Sequence, residues 1–244
     1  MGTSLGPSRA IVVGIDASQA AVNAALWAVD EAVSRDIPLR LVAVVESGDT
    51  GLAERALRSA VTAVEATHRP VKIDVDLAHG RPVGVLRELS CSADMLCLGT
   101  IGVGQATGRH LGSTAEAVAA SARCPVAIIG SPPRHPQWVL AELDETVASS
   151  EVLDRAVAEA VLRNLPLRVI AASEAVIRAR LERILDPYQA RHPELDIQAV
   201  RGTTAEFLGR DAGSVALVVM SRLRNGGMAG PGCPVLICPA SRAL

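Results

Sequence analysis

Between Gly99 and Thr114 the chain reads GTIGVGQATGRHLGST, with five glycines in sixteen residues. The apolar run DMLCLG leads into it and the alanine-rich run AEAVAASA follows it. The implied order is strand, glycine-rich loop, helix start. Glycine costs about 0.5–1 kcal/mol inside a helix or strand, so this density needs a reason. The first turn of a helix carries amide N–H groups without helical partners and a partial positive charge of about +0.5. Glycines let such amides close on an anion, and Ser113 adds a hydroxyl. A phosphate site fits this chemistry. Each residue also has a purely structural reading: Asp16 as a cap of the first helix, the glycines as a ligand-free connection, Ser113 or Thr114 as an N-cap, Arg109 and His110 as solvated loop residues.

Several phosphate loops are excluded. A Walker loop needs a lysine after its last glycine, and the only lysine is Lys72. A dinucleotide loop needs GxGxxG after the first strand, whereas GVGQATG has one residue too many and follows the fourth. The SGGxDS signature of pyrophosphatase-type enzymes is absent after the first strand. What remains is G-x2-G-x9-G-[ST], filled by Gly99, Gly102, Gly112 and Ser113.

The elements that must hold this loop alternate in type. AIVVGID, PLRLVAVVE, VKIDVDLA, DMLCLG and CPVAIIG read as strands. Helical periodicity falls between them, with Ser18 the expected N-cap of the first helix and Pro82 in the first turn of the third. Continuous apolar strands alternating with helices predict a parallel sheet covered on both faces, with ligands at the carboxyl ends of its strands.

The pattern is written twice. IPLRLVAV matches LPLRVIAA, RCPVAII matches GCPVLIC, and VGIDAS matches AELDET. The offset is 128 at Asp16/Asp144 and Pro38/Pro166, 122 at Gly80/Gly202, and 109 at Cys124/Cys233. An internal duplication with a shortened second copy explains this. The expected domains are residues 1–133 and 134–244, joined by the proline-rich GSPPRHPQ.

Composition narrows the class. The chain has 244 residues, is 49% hydrophobic but only 2% aromatic, and carries a net charge of −2. The core is therefore aliphatic, and neither nucleic acid nor an anionic membrane is an expected partner. The amino-terminal MGTSLGPSRA does not read as a signal peptide, and no run is long enough to span a bilayer, so a cytoplasmic protein is expected. The five cysteines lie in or beside apolar runs and read as reduced core thiols.

Taken together, VVGIDAS, the glycine motif and RCPVAIIG resemble the universal stress protein family of the ATP-binding kind, over nearly the whole chain as two tandem copies. The resemblance implies two Rossmann-like α/β domains, each a five-stranded parallel sheet in order 3-2-1-4-5 with helices on both faces, the second truncated. It implies ATP across the ends of strands one and four, with Mg²⁺ an optional companion. Carried over by position, Gly14, Asp16 and Ala17 flank the crevice, and Asp16 bonds the ribose or adenine edge. Val44 lines the adenine pocket. Leu98, Gly99, Thr100 and Gly102 adjoin the ribose and phosphates, the glycines making room. Arg109, Gly112, Ser113 and Thr114 approach the phosphates. The family also implies a homo-oligomer through fifth strands.

The second copy reads as degenerate. Aligning VALVVMSRLRNGG with DMLCLGTIGVG puts Met220 and Leu223 at Gly99 and Gly102, and Glu142 stands at Gly14. About a dozen residues, including the Gly-Ser pair, are missing. The expected function is an ATP-binding stress-response regulator that holds its nucleotide in the first domain and hydrolyses it slowly at most. No catalytic residue and no metal ligand is assigned. The alternatives are a slow ATPase or ATP-dependent transferase, and a nucleotide-free dimerisation scaffold.

Overall fold

The computed structural model describes residues 9–48, 50–100, 112–143, 149–171, 176–221 and 233–239. The chain divides into two compact units, Met1–Ile129 and Gly130–Leu244. In the first unit the strands are β1 (Ile11–Ile15), β2 (Leu39–Val45), β3 (Ile73–His79), β4 (Met95–Gly99) and β5 (Val126–Ile129). The helices are α1 (Gln19–Arg35), α2 (Gly51–Glu65), α3 (Pro82–Leu89) and α4 (Ser113–Ser121). The strands run parallel in the order β3-β2-β1-β4-β5. Most of their residues are buried except on the edge strand β3, which is half-buried to exposed throughout, with the apolar Val75 50% exposed against the alternation of its sequence. Helix α1 packs on α2, and α3 on α4.

The second unit repeats the scheme. Strands β6 (Trp138–Leu143), β7 (Leu167–Ala171), β8 (Ile197–Val200), β9 (Val215–Met220) and β10 (Val235–Ile237) lie parallel in the equivalent order β8-β7-β6-β9-β10. Its helices are α5 (Ser149–Arg163), α6 (Val176–Arg191) and α7 (Thr204–Asp211). Among the described residues no helix lies between β9 and β10, where the first unit has α4.

Small local devices recur at the offsets read from sequence. Asp36 and Asn164 both adopt left-handed backbone, at φ 52° and 51°, where α1 and α5 end. Gly80 and Gly202 turn the chain into α3 and α7 at φ 136° and 128°, a region that favours glycine. Glu31 and Glu159 are fully buried, and each meets an arginine one turn on, Arg35 and Arg163, at 2.5 Å. This buried pair was not foreseen from sequence, because an i,i+4 Glu–Arg pair also suits an exposed helix face.

The cysteines depart from the expectation at one position. Cys97, Cys124, Cys233 and Cys238 are buried, but Cys91, just past α3, is exposed. Burial pushes the Cys233 and Cys238 thiols up to about 12. Both stay protonated and unreactive at neutral pH. Titration of the native protein with a thiol reagent is therefore expected to show one fast-reacting group, lost in Cys91→Ser. Two or more fast groups would contradict this packing.

Candidate functional site

The carboxyl ends of β1, β2 and β4 border a cavity of about 560 Å³. Ligand pockets commonly hold about 300–1,000 Å³. Nine of the expected residues line it: Gly14, Asp16, Ala17, Val44, Leu98, Gly99, Gly112, Ser113 and Thr114. Thr100 does not. Its backbone is already engaged, since its N–H donates to Ile129 O at 2.9 Å and its carbonyl accepts from Gly112 N at 2.6 Å. Thr100 is thus a staple that holds the start of α4 beside β4. Gly102 and Arg109 lie outside the described residues.

Packing alone requires glycine at positions 99 and 14. A Cβ on Gly99 would stand 2.9 Å from Ala20 C and Ala21 N, in the first turn of α1. Backbone cannot yield as a side-chain tip does, so α1 crosses the end of β4 only over a glycine. A Cβ on Gly14 would meet Leu98 Cδ2 at 2.6 Å. The Leu98 side chain lies over this glycine and closes the cavity floor.

The two helix starts at the cavity are finished differently. Ser18 caps α1 as expected, its Oγ accepting from Ala21 N at 3.1 Å. Asp16 Oδ1 accepts from Ser18 N at 3.0 Å and also from the Ser18 hydroxyl. Asp16 is therefore not the cap of α1, but one of its carboxylate oxygens braces the residue that is. At α4 the cap residue is Gly112, not Ser113 or Thr114, and no side chain caps the helix. Ser113, Thr114 and Ala115 occupy the first turn, where N–H groups have no helical partner, and all three line the cavity. Among the described lining residues the charged ones are Asp16 and Glu46, both acidic. Of the described lining residues, the donors an anion would meet are the main-chain amides and hydroxyls at the start of α4.

Sequence reasoning missed the opposite wall. Leu52, Ala53 and Ala56 of α2 and Pro82 and Leu86 of α3 also line the cavity. Leu52 is 56% exposed, an apolar side chain left uncovered at the rim. The spacing of Leu52 and Ala56, one turn apart on α2, was the available signal.

The family model for the universal stress protein family matches residues 7–130. Universal stress protein Rv2028c of Mycobacterium tuberculosis H37Rv is 43% identical over 237 residues, covering 86% of this chain and 85% of the relative. The chain belongs to the universal stress protein family. Universal stress protein Rv3134c of the same organism is 41% identical over 261 residues, covering 94% of this chain and 96% of its own. The crystal structure of a universal stress protein from Archaeoglobus fulgidus DSM 4304 superposes with a TM-score of 0.72 at 17% identity, covering 94% and 96% of the two chains. That structure supports the fold of this universal stress protein over both units.

Strand register corrects the alignment of the two copies. Val13 pairs with Cys97, and its counterpart Ala141 pairs with Val219. Met220 therefore answers to Leu98, and Ser221 rather than Met220 answers to Gly99. The same offset of 122 then holds from Gly80/Gly202 through β4/β9. Leu223 lies outside the described residues.

Gly99→Ala is expected to lower stability by about 1–3 kcal/mol, as added volume does in a packed site. A urea melt checks this. A midpoint unchanged from the parent would show that α1 and β4 do not make the close approach described.

Proposed function

We propose that the first unit binds an adenine nucleotide, ATP with or without Mg²⁺, and that occupancy works as a sensor or switch in the stress response. The observation that carries this reading is the uncapped start of α4, which faces a ligand-sized cavity with no basic side chain among the described lining residues. Three first-turn amides and two hydroxyls, those of Ser113 and Thr114, suit a phosphate group. Family membership, shown above, supports the same reading.

The apolar wall suits the base. Val44, Leu52 and Ala56 offer aliphatic surface and no aromatic ring. Covering exposed apolar area such as that of Leu52 yields about 25 cal/mol per Å². Asp16 stands beside this wall and is exposed. Its Oδ2 accepts from nothing among the described residues, which leaves it available to a ribose hydroxyl. On this reading the protein turns nucleotide over slowly at most, and it assembles with further copies of itself.

Equilibrium binding of ATP to the purified chain tests the proposal, with one site per chain expected. Ser113→Pro removes donors at the start of α4 without removing the helix. Proline suits the first helical position, and Gly112 at ψ 144° tolerates a following proline. The helix should persist while one amide and one hydroxyl vanish. A loss of about 10–100-fold in affinity is expected, from hydrogen bonds to a charged group worth about 1.5–3 kcal/mol. Leu52→Ala should weaken binding by about 3–10-fold through lost apolar contact. Absence of ATP binding would overturn the proposal, and unchanged affinity in Ser113→Pro would overturn the role of α4.

A further inference from the structure

In the second unit, Glu142 Oε2 accepts a hydrogen bond from the hydroxyl of Thr204, the first residue of α7. Thr204 is buried, with 5% exposure. By the repeat offsets these residues answer to Gly14 and Pro82, and both of those line the first unit's cavity. A second carboxylate stands at the same helix start. Glu206 Oε2 accepts from Thr203 N at 3.0 Å, while Thr203 Oγ1 accepts from Glu206 N at 3.2 Å. Glu206 answers to Gly84. Where the first unit has two glycines and a proline around the start of α3, the second has Glu142 bonded to the Thr204 hydroxyl and, separately, Glu206 bonded to the backbone of Thr203.

We propose that Glu142, seated on Thr204, is a resident anion that closes the second unit to nucleotides. This rests on the reading that the first unit binds ATP, and it names the residue that restricts binding to that unit. The carboxylate lies at the positive end of α7, where negative charge is favoured. It stands where the first unit has Gly14 beneath the Leu98 side chain, and a phosphate brought there would meet two like charges. Met220, standing for Leu98, supplies the flexible neighbour that accommodates a side chain at this strand position.

The trio can be moved. In the full-length chain, Gly14→Glu, Pro82→Thr and Leu98→Met together rebuild in the first unit what the second already folds around. The triple variant is expected to keep its circular dichroism spectrum and lose ATP affinity on the order of 100-fold or more. A folded triple variant that binds ATP within about threefold of the parent (roughly the smallest difference such a loss could be confused with) would overturn the proposal. A second arm needs no nucleotide. Glu142→Ala leaves the Thr204 hydroxyl and the α7 start without their carboxylate, so acetate should raise its melting temperature by about 2–4 °C over the same concentration of chloride, with no such rise in the parent. Equal responses of variant and parent would also overturn it. If the parent binds no ATP, the nucleotide reading falls, and the acetate arm alone decides whether Glu142 is a docked anion.

Discussion

No side chain fits between the end of β4 and the first turn of α1. The site a Cβ would take on Gly99 is 2.9 Å from backbone atoms of Ala20 and Ala21. This close approach seats α1 across β4 and brings Asp16 and Ser18 to the carboxyl end of the sheet. From there the chain diverges, α1 leading from β1 to β2 and α4 from β4 to β5 on the other side. A crevice at the point where strand order reverses is the geometric result. Thr100, bonded to both Ile129 and Gly112, then fixes the start of α4 on the crevice's other bank.

The two units agree where the fold needs particular residues. Left-handed turns at Asp36 and Asn164 and pairs of a buried Glu with an Arg on α1 and α5 recur at an offset of 128, and glycine turns at Gly80 and Gly202 at 122. They differ around the cavity. Gly14, Pro82 and Gly99, which line it, become Glu142, Thr204 and Ser221. A sheet with the same strand order is thus built twice, with Gly14 and Pro82 at the cavity in one unit and, at the matching positions of the other, a carboxylate bonded to the hydroxyl that starts α7.

Much of this was legible in the sequence, and the reasons are specific. Strand and helix positions and the Ser18 cap followed from apolar periodicity and one capping residue, whereas the strand order and the nine cavity residues came with the family resemblance that the glycine motif carries. Sequence did not show why Gly99 must be glycine, because the atoms it admits belong to a helix eighty residues earlier, at Ala20 and Ala21. Nor did it place the second copy correctly after Gly202. The apolar runs align Met220 with Gly99, whereas hydrogen-bond register sets it against Leu98. The α2 wall was invisible because Leu52 and Ala56 carry no polar group to mark them. The capping expectation at Ser113 missed by one residue, since Gly112 has the extended backbone of a cap but no side chain to serve as one.

The central claim is that main-chain amides at the start of α4 hold the ligand of this universal stress protein. Residue-resolved hydrogen exchange with and without ATP tests it most directly. The account predicts slowed exchange at the amides of Ser113, Thr114 and Ala115, and no change at Thr203 and Thr204. Unchanged exchange at those three amides under saturating ATP, or protection at the start of α7 instead, would contradict it.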